Sequence, residues 1–441
     1  MYHFVGIKGS GMSALAQIMH ELGYEVQGSD LDKHFFTEDN LRSLGINILP
    51  FDENNIKENM RIVRGAAFDD ENVEIKRALE LGLPIFNYNE MLGSLTKKFK
   101  SICVAGCHGK TTTTAMFAHV LGNIIGVNYL IGDGTGFANK ENEFFVLESC
   151  EYKRHFLEYH PHYAIITNID LDHVDYYKNI DDVISAYMDF ANLTSNMVIA
   201  CGDDPYTHYL DINKPVFYYG IDDDNDIIAK NIVYSENGIS FEVEAEENFY
   251  GNFDLPIYGK HMLLDALAVI SVCYFERIEA KEVAKMFKTF EGAKRRFQET
   301  FIGSNVVIDD YAHHPNEVKS TIKAVKQKYP NKEIIAVFQP HTYTRTSEFA
   351  NQIADALNLA NKAYVLDIHG AREKQEDYPD ITSDIIISKL NNGAHINLDE
   401  KSVFEGLKDT VVLFMSPNDI STLENICKEE LNENNQEDID K

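Results

Sequence analysis

The stretch KSICVAGCHGKTTTTAMF, residues 100–117, decides the fold of the middle of this chain. Its apolar start is typical of a buried strand, and the threonine-rich run that follows leads into a helix whose apolar face includes Met116 and Phe117. A strand that enters a glycine turn and then a helix predicts a nucleotide-type α/β unit beginning near residue 100.

The turn inside this stretch predicts a phosphate site. The usual G-x-x-x-x-G-K-[ST] spacing is not met, because Val104 stands where its first glycine belongs. The shorter turn, with Gly106, Gly109, Lys110 and Thr111, still supplies backbone N–H groups, a lysine cation and a hydroxyl for Mg²⁺. Its place between an apolar strand and a helix favours a phosphate-binding loop over a chance Gly-Lys-Thr turn.

The chain opens on a related pattern: YHFVGI, a glycine turn, an amphipathic helix and then YEVQGSD. Gly6, Gly9 and Gly11 bring the backbone close to an anion at the helix N-terminus, and Asp30 ends the next strand, where a partner of a ribose hydroxyl often lies. A dehydrogenase fingerprint needs glycine at position 8, where this chain has Lys8. The pattern favours a nucleotide diphosphate, with NAD and a purely structural turn as alternatives.

A third unit begins near residue 294, where the strands NVVIDDYAHH, EIIAVFQPH and KAYVLDI alternate with helices. Residues 215–257 instead read as short antiparallel pieces. We therefore predict an α/β protein of three domains: a Rossmann-like domain over 1–98, a central ATPase-like domain with a mostly parallel sheet over 99–293, and a Rossmann-like domain over 294–441 that ends in a disordered acidic tail.

Composition excludes several classes of protein. The net charge of −30 opposes binding to nucleic acid or to anionic lipid, and no apolar run reaches the ~20 residues of a membrane span. The six cysteines include no C-x-x-C pair, which argues against a disulfide framework or a cysteine zinc site. We expect a cytoplasmic protein that holds anionic substrates through local cations and helix N-termini.

Acidic and imidazole side chains follow two of the central strands. Glu148 and Glu151 lie at and just beyond the end of the predicted strand EFFVLES. TNIDLDH, residues 167–173, ends the next strand and includes His173. Because the carboxyl ends of parallel strands share one edge of a sheet, these groups predict a Mg²⁺ site beside the phosphate loop. Each residue taken singly would be a solvated loop charge.

The third unit concentrates cations in an otherwise acidic chain. The planar guanidinium of arginine can donate two hydrogen bonds to a phosphate or a carboxylate, so the cluster indicates binding of anionic substrates. Any one member could instead be a surface charge. The residues are Arg295, Arg296, His313, His314, His341, Arg345 and Arg372.

Taken in order, these motifs resemble the Mur ligase family over nearly the whole chain. The sequence CEYKRHF and the sequence YAHHP resemble the alanine-adding members in particular. The ordered set is HFVGIKGSGMSALA, GSD, AGCHGKTTTT, ESCEYKRHF, TNIDLDHVDYY, GAKRRFQ, DDYAHHPNEV, QPHTYTRT and ARE.

The resemblance implies an ATP-dependent amide ligase of peptidoglycan precursor synthesis. Its partners would be UDP-N-acetylmuramate, L-alanine and ATP with Mg²⁺, and the enzyme would be a monomer or homodimer. Catalytic roles are implied for Lys110, His173, Arg296 and Arg345. ATP contacts are implied for Gly106, His108, Gly109, Lys110, Thr111, Thr112, Asp265 and Arg296, and Mg²⁺ ligands are Thr111, Glu148 and His173. Substrate contacts are implied for Gly9, Ser10, Gly11, Asp30, Tyr311, His313, His341 and Arg345.

The chain departs from the family pattern in three places. Cys107 replaces a threonine of the phosphate loop, Met262 and Asp265 replace two asparagines expected near the adenine, and SPND at 416–419 replaces a glycine-rich segment. These departures keep open a diverged nucleotide-binding relative without turnover. Within the ligase class, the alternative is a recycling ligase that joins a preformed peptide to UDP-N-acetylmuramate.

Overall fold

The computed structural model describes residues 1–439, with side chains described as far as residue 434. It contains three sheets, which follow one another along the chain. The architecture is α/β with three domains and mostly parallel strands, as predicted. The three sheets lie within the three predicted ranges, whose limits at residues 98 and 293 stay a prediction.

The first sheet has five parallel strands in the order β3-β2-β1-β4-β5. This is a Rossmann-type order, and the chain reverses direction across the sheet beside β1, so the turn after β1 lies at the switch point where such sheets bind ligands. The elements are β1 Tyr2–Val5, α1 Ser10–Glu21, β2 Val26–Ser29, α2 Glu38–Ser43, β3 Asn47–Leu49, β4 Arg61–Arg64, α3 Val73–Glu80, β5 Ile85–Asn87 and α4 Tyr88–Thr96.

The central sheet has ten strands in the order β15-β14-β13-β12-β11-β10-β6-β9-β7-β8. β6 lies between β10 and β9, so the glycine turn that follows β6 is at the second switch point. The elements are β6 Lys100–Ala105, α5 Lys110–Ile124, β7 Val127–Ile131, β8 Thr135–Phe137, β9 Phe144–Glu148, β10 Tyr163–Ile166, α6 Ile180–Asn192, β11 Met197–Cys201, β12 Val216–Gly220, β13 Ile227–Ser235, β14 Gly238–Ala245, β15 Asn248–Leu255, α7 Lys260–Phe275 and α8 Ala280–Phe287.

The predicted antiparallel pieces extend one edge of this central sheet. β13, β14 and β15 pair antiparallel to one another, whereas β12 joins β13 in parallel. Alternate residues of β14, such as Phe241 and Val243, are buried against α7 and α8. The prediction for residues 215–257 is therefore confirmed for β13 to β15.

The third sheet has the order β16-β17-β21-β18-β19-β20, with only the β16–β17 pair antiparallel. The elements are β16 Gln298–Ile302, β17 Asn305–Asp310, α9 Pro315–Lys328, β18 Glu333–Phe338, α10 Tyr343–Leu357, β19 Lys362–Val365, α11 Asp384–Ile387, β20 Gly393–His395, β21 Thr410–Met415 and α12 Ser421–Ile439.

The C-terminal segment is helical over the described residues. α12 covers Ser421–Ile439, residues 440 and 441 lie outside the described residues, and the disordered acidic tail stays a prediction. Leu423, Cys427 and Leu431 recur every four residues and are fully buried against the third sheet. This apolar stripe, which the surrounding charges obscured, orders the helix.

Among the described residues, no helix combines the length and the apolar character needed to cross a bilayer.

Candidate active site

A cavity of about 400 Å³ lies between the central and C-terminal domains. This volume is in the range of small-molecule sites. The glycine turn after β6, the loop after β10, the start of α7 and the start of α9 all contribute to its wall. The lining side chains include His108, Thr112, Asn168, Asp170, His261, Asp265, Arg296 and Glu317.

The backbone of the turn between β6 and α5 requires glycine. Gly106 has φ of +147° and Gly109 has φ of +83°, both in the region that other residues avoid. A β-carbon on Gly106 would collide with the side chain of Thr167, and one on Gly109 would lie 2.6 Å from Oδ1 of Asp265. Because α5 begins directly after Gly109, its N-terminal N–H groups are available at the cavity wall.

The end of β10 fixes the conformation of this turn. Asn168 accepts a hydrogen bond from the backbone N–H of His108 at 2.9 Å and donates its side-chain amide to the His108 carbonyl at 2.9 Å. Thr167 donates its hydroxyl to the same carbonyl at 2.6 Å. Both residues belong to the TNIDLDH motif, so this motif shapes the loop as well as supplying charge.

Lys110 lies at the mouth of the turn. Its Nζ donates to the carbonyls of Gly106 and Cys107, at 2.5 and 3.2 Å, and lies 3.0 Å from Oε2 of the buried Glu151. Burial disfavours the charged form of Lys110, but the Glu151 carboxylate outweighs it and raises the pKa. Lys110 is therefore a fixed cation next to the helix N-terminus.

Two of the three predicted Mg²⁺ ligands lie together. The side chain of Thr111 is next to the carboxylate of Glu148, which also accepts a hydrogen bond from the backbone N–H of Gly132 at 2.6 Å. Burial raises the pKa of Glu148. A nearby cation would compensate this half-buried carboxylate, which fits the chemistry of a Mg²⁺ ligand.

The third predicted Mg²⁺ ligand, His173, lies next to Glu151 rather than next to Glu148. Its Nε2 is 3.7 Å from Oε1 of Glu151, and its ring lies 4.7 Å from the ring of Tyr152. The backbone of His173 has a positive φ of 49°, so the loop presents this side chain through a conformation that sequence patterns do not reveal. Glu151, which the sequence analysis placed among the groups of the Mg²⁺ site, thus joins Lys110 to His173.

Asp265 and Arg296 both line the cavity, Asp265 from the central domain and Arg296 from the C-terminal domain. Asp265 lies beside Thr113 and Gly109, and its Oδ2 has no hydrogen-bond partner among the described residues. Burial raises the pKa of Asp265 to about 7. Arg296 packs its guanidinium over the ring of Tyr311 at 5.0 Å and lies 4.0 Å from Oε1 of Glu317.

The first histidine of YAHHP contacts the start of α9. His313 Nδ1 lies 3.0 Å from the carbonyl of Tyr311, and Glu317 accepts a hydrogen bond from the His313 backbone N–H at 3.1 Å. Burial lowers the pKa of His313 to about 4, so the ring is neutral at pH 7. Sequence reasoning missed Glu317, although the pattern of His314, a proline and a glutamate three residues later is a capping box that could have marked it.

His341 precedes α10 and Arg345 lies in its first turn, from which Arg345 reaches the central domain. Arg345 Nη1 lies 3.1 Å from Nδ1 of His341, and Nη2 donates to Oδ1 of Asp172 at 2.5 Å. Burial opposes the charge of Asp172, but Arg345 outweighs it and holds the pKa of that carboxyl well below its usual range. Burial and the neighbouring His313 lower the pKa of His341 to about 3.

The predicted nucleotide residues of the N-terminal domain form a separate turn. Gly9 is exposed and precedes α1, and Ser10 and Gly11 are its first half-buried residues. Asp30 lies beneath the turn, where its carboxylate accepts hydrogen bonds from the backbone N–H groups of Lys8 at 2.7 Å and Leu31 at 2.8 Å. Asp30 thus supports the turn, and its contact with a ribose stays a prediction.

The turn that joins β7 and β8 links the two glycine turns. On one side Gly132 donates to Glu148, and on the other Gly134 accepts a hydrogen bond from Gln17 of α1 at 3.0 Å and lies close to Ser10. The first turn and the Thr111–Glu148 pair therefore contact opposite sides of one short segment.

Three protein-family models match successive parts of the chain. They are described as "Mur ligase family, catalytic domain" over residues 1–100, "Mur ligase middle domain" over residues 104–273, and "Mur ligase, glutamate ligase domain" over residues 295–419.

Solved structures share the three-domain fold. The UDP-N-acetylmuramate–alanine ligase MurC of Thermotoga maritima is 28% identical, with a TM-score of 0.79 over 97% of this chain and 98% of that chain. A murein peptide ligase of Psychrobacter arcticus is 22% identical, with a TM-score of 0.72 over 98% of both chains. The MurF ligase of Thermotoga maritima, solved in complex with ADP, is 18% identical, with a TM-score of 0.66 over 87% of this chain and 97% of that chain.

Proposed function

The chain belongs to the Mur ligase family, and from this premise we propose that it joins L-alanine to the lactyl carboxylate of UDP-N-acetylmuramate at the expense of ATP. The product would be a precursor of peptidoglycan. ADP and phosphate would be released.

The observation that carries the proposal is the convergence of two glycine turns on one segment. The turn before α1 suits a diphosphate and the turn before α5 suits a triphosphate, since both offer helix N-terminal N–H groups. The β7–β8 turn lies close to Ser10 at the first turn and donates to Glu148, the neighbour of Thr111, beside the second. A UDP-sugar on the first turn would extend its acyl chain past this segment toward the second turn.

Mg²⁺ fits the residues beside the second turn. Thr111 and Glu148 offer the oxygen ligands that Mg²⁺ prefers. Glu148 is half-buried and, among the described residues, has no ion pair like the one that Lys110 makes with Glu151. His173 would join them from the loop after β10. When bound, the ion would neutralise charge on the ATP phosphates.

The reaction would proceed through an acyl phosphate. A lactyl carboxylate oxygen attacks the γ-phosphorus, ADP leaves, and the alanine amine then displaces phosphate from the acyl carbon through a tetrahedral intermediate. Lys110 would hold the β- and γ-phosphates and Arg296 would approach them from the C-terminal domain. Because acyl phosphates hydrolyse, the enclosed cleft between the two domains would protect the intermediate from water.

The C-terminal cluster would hold the substrates. His313 and His341 are neutral at pH 7, so they offer hydrogen bonds rather than charge. Arg345 is then the cation closest to them, and it would pair with a substrate carboxylate. Tyr311, which stacks under Arg296, would contact the muramate portion.

The test is phosphate release from MgATP and UDP-N-acetylmuramate with one amine at a time: L-alanine, L-serine, glycine, and the tripeptide L-Ala-D-Glu-diaminopimelate. Release that depends on L-alanine, with one alanyl residue in the product mass, supports the proposal. Turnover only with the tripeptide would identify a recycling ligase instead. If ATP binds but no amine leads to phosphate release, the protein is a nucleotide-binding relative without turnover.

A further inference from the structure

Two histidines and an aspartate meet at the boundary between the central and C-terminal domains. His108 Nε2 is 3.4 Å and His314 Nδ1 is 3.8 Å from Oδ2 of Asp170, and the two imidazole rings are 4.5 Å apart. One ligand atom from each of the three residues lies within 4.8 Å of the other two. None of the three is among the Mg²⁺ ligands proposed above.

The groups around this cluster are arranged as the outer shell of a metal site. The other ring nitrogen of His108 lies 3.3 Å from Oε1 of Glu317, and a carboxylate in this position orients a metal-binding imidazole and increases its basicity. Asn316 donates its side-chain amide to Oδ2 of Asp170 at 2.6 Å. The ligand carboxylate and one ligand imidazole are therefore both held in place.

His314 supplies a second and independent observation. Its side chain is 3% exposed. Its Nδ1, the atom nearest to Asp170, accepts a long hydrogen bond of 3.4 Å from the backbone N–H of Asn316, and its Nε2 has no hydrogen-bond partner among the described residues. Because buried polar atoms without good partners are costly, the helix cap leaves this imidazole only partly satisfied.

We propose that His108, Asp170 and His314 bind a divalent transition-metal ion, with Zn²⁺ as the best fit. Two imidazoles and one carboxylate suit Zn²⁺ and its neighbours, whereas Mg²⁺ prefers oxygen ligands in an octahedron. His108 and Asp170 line the cavity, so a fourth position is open to water or to a ligand there.

The site would also join two domains. His108 and Asp170 lie in the loops after β6 and β10, whereas His314 precedes α9 in the C-terminal domain. The bound ion would hold the start of α9 against the glycine turn and so favour the closed arrangement. This inference does not depend on the proposed ligase activity, because the ion would bind without ATP or UDP-sugar.

The test is a titration of the untagged full chain with Co²⁺, without nucleotide, followed by visible absorption. We expect one equivalent of Co²⁺ to produce the intense d–d bands of a four-coordinate ion. The bands should persist in millimolar Mg²⁺ and should disappear when Zn²⁺ displaces the Co²⁺. A weak octahedral spectrum, or bands that Mg²⁺ abolishes, would overturn the proposal.

Variants locate the ion. His314→Ala and His108→Gln should each weaken Co²⁺ binding more than tenfold, and Glu317→Gln should weaken it about tenfold through the outer shell. His395→Ala is the matched control, since His395 pairs with Asp367 at 2.9 Å in the same domain but is outside the cluster. Unchanged affinity in both His314→Ala and His108→Gln, or an equal loss in His395→Ala, contradicts the assignment. If His314→Ala does not fold, His108→Gln decides.

Discussion

The turn after β1 and the turn after β6 each join a buried parallel strand to a helix through glycine, and each contains a lysine. In the first, Lys8 is buried and directed away from the helix N-terminus, with its Nζ bound to the carbonyls of Leu31 and Lys33 and paired with Glu38. In the second, Lys110 lies at the mouth of the turn. One turn therefore offers an anion only backbone N–H groups, and the other adds a cation.

This comparison separates local fold from chemistry. A strand, a glycine turn and a helix suffice to create an anion site, because the N–H groups and the helix dipole belong to the backbone. Whether the site also performs phosphoryl transfer depends on side chains from elsewhere. Around the second turn these are Glu148, Glu151 and His173, from the ends of β9 and β10.

The largest expected effect is the loss of ligase activity when Lys110 of the second turn is replaced. Lys110→Ala should lower ligation by about 100- to 1,000-fold or more, because the phosphates lose a fixed cation, while UDP-sugar binding in the N-terminal domain is retained. Phosphate release and calorimetric UDP-sugar binding measure the two properties. Lys285→Ala, on the exposed face of α8, is the control. Wild-type turnover in Lys110→Ala would contradict the role of the second turn.

The glycines provide the next contrast. Gly106→Ala should cost about 2–4 kcal/mol, because φ of +147° strains any β-carbon and Thr167 blocks it. Gly9→Ala should cost less than about 0.5 kcal/mol, since Gly9 has φ of −59° and the nearest atom to a new β-carbon is 3.6 Å away. Denaturant unfolding of the two variants measures the difference. Equal losses would remove this distinction between the turns.

Lys8 should matter for stability rather than for turnover. Lys8→Ala leaves Glu38, 4% exposed, with Arg42 as its nearest cation, so we expect a loss of about 1–3 kcal/mol with unchanged ATP binding. Lys8 lowers the pKa of Glu38 below 4.5, so its contribution is present above pH 4.5 and is lost as the pH falls further. The difference in unfolding midpoint between the two proteins should therefore shrink in acid. A constant difference across pH would mean that packing, not charge, is responsible.

The smallest expected effect is on the stability of the protein when Asp265, beside the second turn, is replaced. Burial raises the pKa of Asp265 from 3.8 to about 7, so ionisation in the folded state costs stability that is absent near pH 4 and complete above pH 7. Asp265→Asn should raise stability by about 1–2 kcal/mol at pH 8, with no gain at pH 4, and should also strengthen ATP binding. Thermal unfolding from pH 4 to pH 8.5 measures the first effect. A gain that is independent of pH would exclude the electrostatic explanation.

Local patterns predicted the strands well because each is a short apolar run that ends in a turn. YHFVGI, KSICVAG and NVVIDD all became interior strands with at least one parallel neighbour. The positions of the three predicted Mg²⁺ ligands relative to one another were harder to predict. Thr111 and Glu148 meet because β6 and β9 are neighbours, but His173 contacts Glu151 through a loop with a positive φ.

The sequence by itself determined the three α/β units, both glycine turns and the chemical character of the residues around them. These features depend on hydrophobic periodicity and on backbone requirements that neighbouring residues satisfy. Only the tertiary structure decided which charges pair. Arg345 reaches Asp172 and His108 reaches Glu317 across a domain boundary. Burial there makes His313 neutral, whereas Arg345 keeps Asp172 charged in spite of its burial. Ionisation depends on desolvation and on partners distant in the chain, neither of which a local pattern contains.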